Sequence, residues 1–77
     1  MNIKVYGADW CSDCLIVKSF LNSNSVEFEY IDISSDEQAV LFVEKINNGK
    51  RVIPTLVIEG KIYINPGINL LSKVLAE

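Results

Sequence analysis

The sequence predicts an α/β domain with one four-stranded mixed sheet and three helices, in the order β-α-β-α-β-β-α. Three observations lead to this fold class. Residues 26–33 alternate apolar and polar side chains, which is the period of a strand. Residues 39–46 place apolar side chains along one face of a helix. Two short apolar runs, "TLVI" and "KIYI", are separated by only two residues, as in a tight hairpin.

The first half of the chain predicts a strand, a helix and a second strand. The run "NIKVYG" is short and rich in strand-forming residues, and it is closed by Gly7, which is typical of a buried strand. Apolar residues then recur at helical spacing, until "NSNS" at 22–25 ends the helix. These apolar residues are Leu15, Ile16, Val17, Phe20 and Leu21. The segment 26–33 follows as the second strand. Because a helix lies between the two strands, we expect them to run parallel, joined by a right-handed crossover.

A second helix is predicted after this strand. "SDEQ" at 35–38 is a capping-box pattern, in which Ser35 caps the helix and Gln38 reaches back. "NNG" at 47–49 then supplies the stop. The apolar face between them consists of Ala39, Phe42, Val43 and Ile46.

The last third of the chain predicts a hairpin and a helix. Glu59 and Gly60 form the tight turn of the hairpin, and Pro66 with Gly67 breaks the chain before the last helix. The apolar positions of that helix are Ile68, Leu71, Val74 and Leu75. With a parallel first pair of strands and an antiparallel last pair, we expect one mixed sheet with helices on both faces.

Length and composition limit what the chain can be. It has 77 residues, of which 49% are hydrophobic, so we expect one domain over residues 1–77. No apolar run approaches the roughly 20 residues of a membrane span. The first residues also lack the features of a signal peptide. We therefore expect a cytoplasmic protein that acts as a monomer, away from membranes.

Charge and residue types exclude several functions. The net charge is −3, and the only adjacent basic pair is Lys50 and Arg51, so no nucleic-acid surface is expected. Histidine is absent. Its absence removes the commonest metal ligand and any Cys–His nucleophile pair.

The only two cysteines, Cys11 and Cys14, stand between the first strand and the first helix. A C-x-x-C motif beside a β-α-β pattern points to redox chemistry. At the start of a helix, unpaired N–H groups and the positive end of the dipole favour a thiolate on Cys11. The thiolate is the species that attacks a disulfide. Cys14 lies one turn further on the same face, so it can resolve a mixed disulfide on Cys11.

Three other interpretations of the cysteine pair stay open. A structural zinc site normally takes four ligands, whereas the chain offers two cysteines with Asp9 and Asp13 as nearby oxygen donors. A structural disulfide would close a very short loop and would constrain the unfolded chain little. Two inert core cysteines are the third interpretation, since cysteine is often buried for packing alone.

Three features together resemble the glutaredoxin family of the thioredoxin fold. They are the C-S-D-C motif after the first strand, "RVIPT" before the third strand, and the order of the elements. The resemblance covers essentially the whole chain, which has no room for the extra N-terminal strand and helix of thioredoxins. "WC" and "IPTLVIEGK" are thioredoxin-like in local sequence. This mixture resembles small glutaredoxin-like redoxins, such as mycoredoxins and the redoxins that serve ribonucleotide reductase.

The resemblance implies a thiol–disulfide oxidoreductase that reduces protein disulfides or mixed disulfides with a low-molecular-weight thiol. Cys11 matches the nucleophile, Cys14 the resolving thiol and Pro54 the cis-proline of the family. The residues by themselves also permit a trans proline that opens a strand. Ile53 would then present its backbone N–H and C=O to an extended substrate. The cysteines carry the electrons, so no bound cofactor is implied; glutathione, another small thiol or a thioredoxin reductase is the donor. The alternative functions are an iron–sulfur cluster or metal carrier and a non-catalytic binding domain.

Trp10 and the basic pair are predicted to contact the substrate. Trp10 stands between Asp9 and Cys11, which should be exposed, so we expect it at the surface beside the cysteines; the other interpretation is an aromatic ring that fills the core. Lys50 and Arg51 precede the proline loop. They can bind a carboxylate of a thiol substrate, or they can be solvated loop charges.

Two regions depart from the glutathione-using members that the chain resembles. Those members carry a basic residue three positions before the nucleophile, where this chain has Ala8. They also carry a Gly-Gly and an acidic pair near the last helix, where Gly67 and Asn69 offer backbone and amide contacts but no carboxylate. The oxidoreductase prediction therefore rests on the cysteines, and the identity of the donor stays open.

Asp13 and Asp9 are predicted to tune the cysteine pair. A carboxylate beside Cys11 disfavours its thiolate, whereas the helix N-terminus favours it. The side chain of Asp9 can cap the helix, as can that of Ser12 if the helix starts later. We expect Asp13 to make the pair more reducing, with a potential nearer roughly −270 mV than −200 mV. The other interpretation of Asp13 is a favourable first-turn acid.

Overall fold

The computed structural model describes residues 2–76, and its elements follow the predicted order. They are β1 (Ile3–Gly7), α1 (Ser12–Ser23), β2 (Glu29–Asp32), α2 (Glu37–Ile46), β3 (Thr55–Ile58), β4 (Lys61–Ile64) and α3 (Ile68–Ala76). The first and last positions of the predicted domain, 1 and 77, lie outside the described residues. Across residues 2–76, none of the helices has the length and apolar character needed to cross a membrane.

The four strands form one mixed sheet in the order β2-β1-β3-β4. β1 and β2 are parallel, whereas β3 pairs antiparallel with both β1 and β4. The register of the two central strands pairs Tyr6 with Thr55. The chain leaving β1 and the chain entering β3 therefore lie at the same end of the sheet, which brings the cysteine and proline loops together.

Helices cover both faces of the sheet, as predicted. On one face, α1 and α3 pack against apolar side chains of the central strands. This larger cluster contains Ile3, Val5, Val17, Leu21, Leu56, Ile58 and Leu71. On the other face, Ala39 and Val43 of α2 pack with Ile33, and Tyr6 stacks on Phe42 with ring centroids 4.8 Å apart. The alternation of side chains along β1 thus supplies both clusters.

Some apolar residues at helical spacing lie outside the core. In α1, Val17 and Leu21 are buried, but Leu15 and Ile16 are 42% and 49% exposed. The apolar residues of this helix cover a wider arc than the roughly 100° stripe that usually faces a core. Two of them therefore stay in solvent, as does Ile68 at the start of α3, which is 40% exposed.

The predicted capping box at the start of α2 is wrong by one residue. The N-cap is Asp36 rather than Ser35, and the Asp36 Oδ1 accepts a hydrogen bond from the Ala39 N–H over 3.1 Å. The Ser35 hydroxyl instead donates to the Asp32 carbonyl over 3.4 Å. Serine and aspartate cap about equally well, so the turn that begins at Asp32 decides which of them reaches the helix.

The connections also refine the predicted boundaries. β2 begins later than the predicted segment 26–33, because the Val26 N–H donates to the Leu21 carbonyl over 3.0 Å and ties the chain to the end of α1. The hairpin turn is confirmed. Glu59 and Gly60 have φ values of 50° and 81°, which are the two positive values of a type I′ turn.

Candidate active site

Cys11 forms the N-cap of α1, in the connection that follows β1. Its backbone is extended, with φ −97° and ψ 112°. Its Sγ accepts a hydrogen bond from the Cys14 N–H over 3.2 Å. Its own N–H donates to the Ala8 carbonyl over 3.1 Å, which closes the turn between strand and helix. The sulfur therefore occupies the place that a capping oxygen usually takes, against the unpaired N–H groups of the first turn.

The predicted capping roles of Asp9 and Ser12 are wrong. α1 begins at Ser12, so the side chain in the capping position is that of Cys11 itself. Asp9 lies exposed in the preceding turn. Asp13 is exposed in the first turn of α1, where a negative charge interacts favourably with the helix dipole.

Cys14 is fully buried, whereas Cys11 is half-buried, and both are free thiols. Burial, followed by interaction with the Cys11 thiol, raises the pKa of Cys14 from 9.0 to about 12. The charge of Asp13 contributes in the same direction. Cys14 is therefore a protonated thiol at neutral pH. The pair is asymmetric, with one sulfur within reach at the helix N-terminus and the other enclosed.

The hydroxyl group of Tyr30 lies close to Cys14. A Cβ atom built on Gly7 would lie 2.8 Å from this hydroxyl and 2.9 Å from the Cys14 Sγ. The hydroxyl is buried and has no hydrogen-bond partner in the part of the chain that the structure describes. Burial, and after it the charge on Cys14, raises the pKa of Tyr30 to about 12.

From the sequence, Tyr30 is only one of the alternating residues of the second strand. The signal that distinguishes it is chemical, because Tyr30 carries a polar tip in a series that is otherwise apolar at Val26 and Phe28. All three pack against the larger core cluster. A hydroxyl that enters a core normally has a hydrogen-bond partner there.

The Ile53–Pro54 peptide bond is cis, as the resemblance implies. The Pro54 carbonyl accepts a hydrogen bond from the Asn65 N–H over 2.7 Å. The Thr55 hydroxyl donates to the Val52 carbonyl over 2.6 Å. Within residues 2–76, the N–H and C=O of Ile53 take no backbone hydrogen bond. The loop is thus pinned on both sides of Ile53, whose backbone groups stay open.

The other predicted contact residues lie at the surface. Trp10 is 75% exposed directly before Cys11, as expected. Arg51 donates from Nε to the Glu44 Oε2 over 2.8 Å, a pairing with α2 that the sequence does not indicate. An exposed ion pair contributes at most about 1 kcal/mol, so it orients Arg51 without locking it. Lys50 is exposed beside it.

Three further residues bear on possible ligands. Ala8 is fully buried in the turn between β1 and Cys11, where glutathione-using members carry a basic side chain. Gly67 and Asn69 are exposed at the start of α3. Among residues 2–76, no three or more cysteine and acidic side chains come together in an arrangement that could hold a metal ion.

Comparison with known proteins identifies the family. The glutaredoxin family model matches residues 3–63 of this chain. Mycoredoxin 1 of Corynebacterium glutamicum is 32% identical over 77 residues, which cover 99% of this chain and 91% of that protein.

Solved structures agree in fold. The crystal structure of the thioredoxin-like protein BC3987 is similar with a TM-score of 0.81 at 32% identity, covering 94% of this chain and 97% of that one. The NrdH-redoxin of Escherichia coli has a TM-score of 0.80 at 18% identity, covering 96% of this chain and 95% of that one. Since the family model spans most of the chain and a relative aligns along nearly all of it, this chain belongs to the glutaredoxin family.

Proposed function

We propose that this protein is a thiol–disulfide oxidoreductase that reduces protein disulfides, or mixed disulfides with a low-molecular-weight thiol, through Cys11 and Cys14. The observation that carries the proposal is the asymmetry of the pair at the head of α1. The Cys11 sulfur is within reach and accepts the Cys14 N–H over 3.2 Å, a contact that stabilises a thiolate more than a thiol. Cys14 is buried with a pKa of about 12, so it stays a thiol until a mixed disulfide forms beside it.

The proposed reaction has two exchange steps. The Cys11 thiolate attacks one sulfur of the substrate disulfide, so that a mixed disulfide forms on Cys11 and the other substrate sulfur leaves as a thiolate. Cys14 then loses its proton to solvent, attacks the Cys11 Sγ and releases the second substrate sulfur as a thiolate. Two electrons pass to the substrate, and the protein is left with a disulfide between Cys11 and Cys14.

The surface around the cysteines favours a protein or peptide as the substrate. Trp10 offers an exposed aromatic ring of the kind that anchors protein contacts. The open N–H and C=O of Ile53 suit an extended peptide that pairs as an additional strand. Lys50 and Arg51 add positive charge near this loop, which suits a substrate carboxylate.

The oxidised pair must be reduced again by an external donor, for which we propose glutathione, another low-molecular-weight thiol or a thioredoxin reductase. Ala8 is enclosed and Asn69 is uncharged, so neither provides the charge that glutathione-using members place there. Incubating the oxidised protein with each donor system and counting free thiols identifies the physiological class. If none of the three donor systems reduced the protein efficiently, this choice of donors would be contradicted.

Two cysteine variants test the proposed function. Cys14→Ser should accumulate a mixed disulfide with the substrate, seen as a mass increase that a reducing agent reverses. Cys11→Ser should form no such adduct and should lose reductase activity. Retained activity in Cys11→Ser, or an adduct that maps to Cys14 in the native protein, would contradict the proposal.

A further inference from the structure

We propose that the Tyr30 hydroxyl donates a hydrogen bond to the Cys14 sulfur whenever that sulfur carries negative charge, and thereby speeds the exchange steps at Cys14. The inference rests on the proposed function, because Cys14 is the resolving thiol of that reaction. It adds to the site a third side chain, which comes from β2 rather than from the cysteine or proline loop.

The fold holds the Tyr30 ring in one place. Tyr30 lies opposite Val5 in the register of β2 and β1, and its ring packs against the core cluster that α1 also joins. Lys18 of α1 covers the ring, with its Nζ 4.5 Å from the ring centroid. This cation–π contact fixes the ring between strand and helix. The hydroxyl at its far end lies against Gly7, at the end of β1.

The Tyr30 hydroxyl lacks a hydrogen-bond partner in the described part of the reduced protein. It is buried without a hydrogen-bond partner among residues 2–76. An unpaired hydroxyl in a core costs free energy that a phenylalanine ring of the same shape would not. The hydroxyl therefore has a structural cost in this state, which a hydrogen bond formed in another state of the site would offset.

The Cys14 sulfur is the neighbour whose charge changes. The Cys14 Sγ and the Tyr30 hydroxyl both lie within 3 Å of the place where a Gly7 Cβ would be, at 2.9 Å and 2.8 Å. In the reduced protein the Tyr30 hydroxyl and the Cys14 thiol form no hydrogen bond. As a thiolate, Cys14 accepts a charge-assisted hydrogen bond, and the hydroxyl hydrogen can rotate toward it.

Burial, and after it the surrounding charges, makes the hydroxyl a donor and not a base. Burial raises the pKa of Tyr30 most, and the charges of Cys14, Asp9, Asp32 and Cys11 act in the same direction. The phenol therefore keeps its proton throughout the range in which exchange occurs. The cationic Lys18 lies over the face of the ring.

Tyr30 keeps its proton in both exchange steps, so the atoms and electrons balance between the cysteines, the substrate or donor, and solvent. In resolution, Cys14 loses its proton to solvent, its sulfur bonds to the Cys11 Sγ, and the bond from Cys11 to the substrate sulfur breaks. In the reverse direction, a donor thiolate attacks Cys11, and Cys14 leaves as a thiolate. In both directions the Cys14 sulfur carries negative charge during the step, and the Tyr30 hydroxyl stabilises that charge.

A two-phase reaction tests this role. Reduced protein, in excess over the aromatic disulfide dithiobis(nitrobenzoate), releases one coloured thiolate when Cys11 attacks and a second when Cys14 resolves. Tyr30→Phe should leave the first phase unchanged and slow the second about tenfold, as expected for the loss of a hydrogen bond to a charged group. The matched control is Tyr63→Phe, which also alters a half-buried tyrosine but on a different strand, β4. It should leave both phases unchanged.

Four further readouts separate this role from a merely structural one. The second phase should be independent of protein concentration and absent in Cys14→Ser, which shows that it is resolution. The rate of the second phase should rise with pH in the wild type and in Tyr30→Phe. At every pH it should be lower in Tyr30→Phe. Replacing Tyr30 with 3-fluorotyrosine, whose hydroxyl is a stronger donor, should give at least the wild-type rate. Tyr30→Phe should also unfold at no lower denaturant concentration, because its hydroxyl has no partner.

Equal second phases in the wild type and in Tyr30→Phe overturn the inference. Equal slowing of both phases overturns it as well, because the change then affects the whole site rather than Cys14. A second phase slower with 3-fluorotyrosine than with tyrosine has the same consequence. If the wild type shows no second phase, the proposed function itself fails, and this result differs from all three others.

Discussion

The backbone N–H of Cys14 donates a hydrogen bond to the sulfur of Cys11 over 3.2 Å. This contact replaces the usual oxygen cap of a helix with a nucleophilic sulfur. It also holds the two thiols one helical turn apart, with Cys11 at the N-terminus of α1 and Cys14 enclosed behind it. The difference in surroundings gives two identical side chains different reactivities.

Alkylation of the reduced, folded protein should be selective for Cys11. Cys14 has no exposed surface and a pKa of about 12, so its reactive thiolate is both scarce and enclosed at neutral pH. Iodoacetamide labelling followed by peptide mass spectrometry should find the label on Cys11, with Cys14 reacting only after unfolding. Comparable labelling of Cys14 in the native protein would contradict this arrangement.

The reduced protein should lose stability as the pH rises above about 9. Folding raises the pKa of Cys14 from 9.0 to about 12 and that of Tyr30 from 10.0 to about 12. Between these limits the unfolded chain releases protons that the native state retains, so the free energy of unfolding falls. Urea denaturation between about pH 8 and pH 11 under reducing conditions measures the fall. Tyr30→Phe should show a shallower dependence, and a flat profile in the wild type would contradict the burial of both groups.

Gly7→Ala should destabilise the protein by about 1–3 kcal/mol, since the new methyl group overpacks a filled site. Its Cβ would lie 2.8 Å from the Tyr30 hydroxyl and 2.9 Å from the Cys14 Sγ. Adding Tyr30→Phe should recover part of the loss, because the nearest atom is then absent. Gly67→Ala is the control, with no heavy atom within 4 Å of the new Cβ. Chemical denaturation measures all four proteins, and equal stability of Gly7→Ala and wild type would contradict the close packing.

Trp10→Ala should slow the reduction of protein disulfides about fivefold or more, because truncating an aromatic anchor typically costs over 1 kcal/mol of contact. Stability should change by less than about 0.5 kcal/mol, since the ring is 75% exposed. The rate with a small disulfide should be nearly unchanged. Leu41→Ala is the control, because Leu41 is also an exposed apolar residue but lies on α2. Equal slowing with small and protein disulfides would show that Trp10 acts on the cysteines and not on the partner.

The order of the elements could be predicted because it depends on local periodicity. Apolar positions 39, 42, 43 and 46 form a helical face whatever lies around them, and the Glu59-Gly60 turn has its own strong conformational preference. The boundaries were less predictable where two neighbours compete for one role. Ser35 and Asp36 are both good caps, and the turn at Asp32 selected the second.

The sequence by itself determined the order of the elements, the placement of Cys11 and Cys14 at the head of a helix, and Pro54 before the third strand. These follow from spacing within short segments. Only the tertiary structure decided that Tyr30 lies beside Cys14 and that Arg51 pairs with Glu44. Such contacts depend on strand register and helix packing, which bring together residues that are distant along the chain. A side chain's neighbours, and hence its burial and pKa, are therefore properties of the fold.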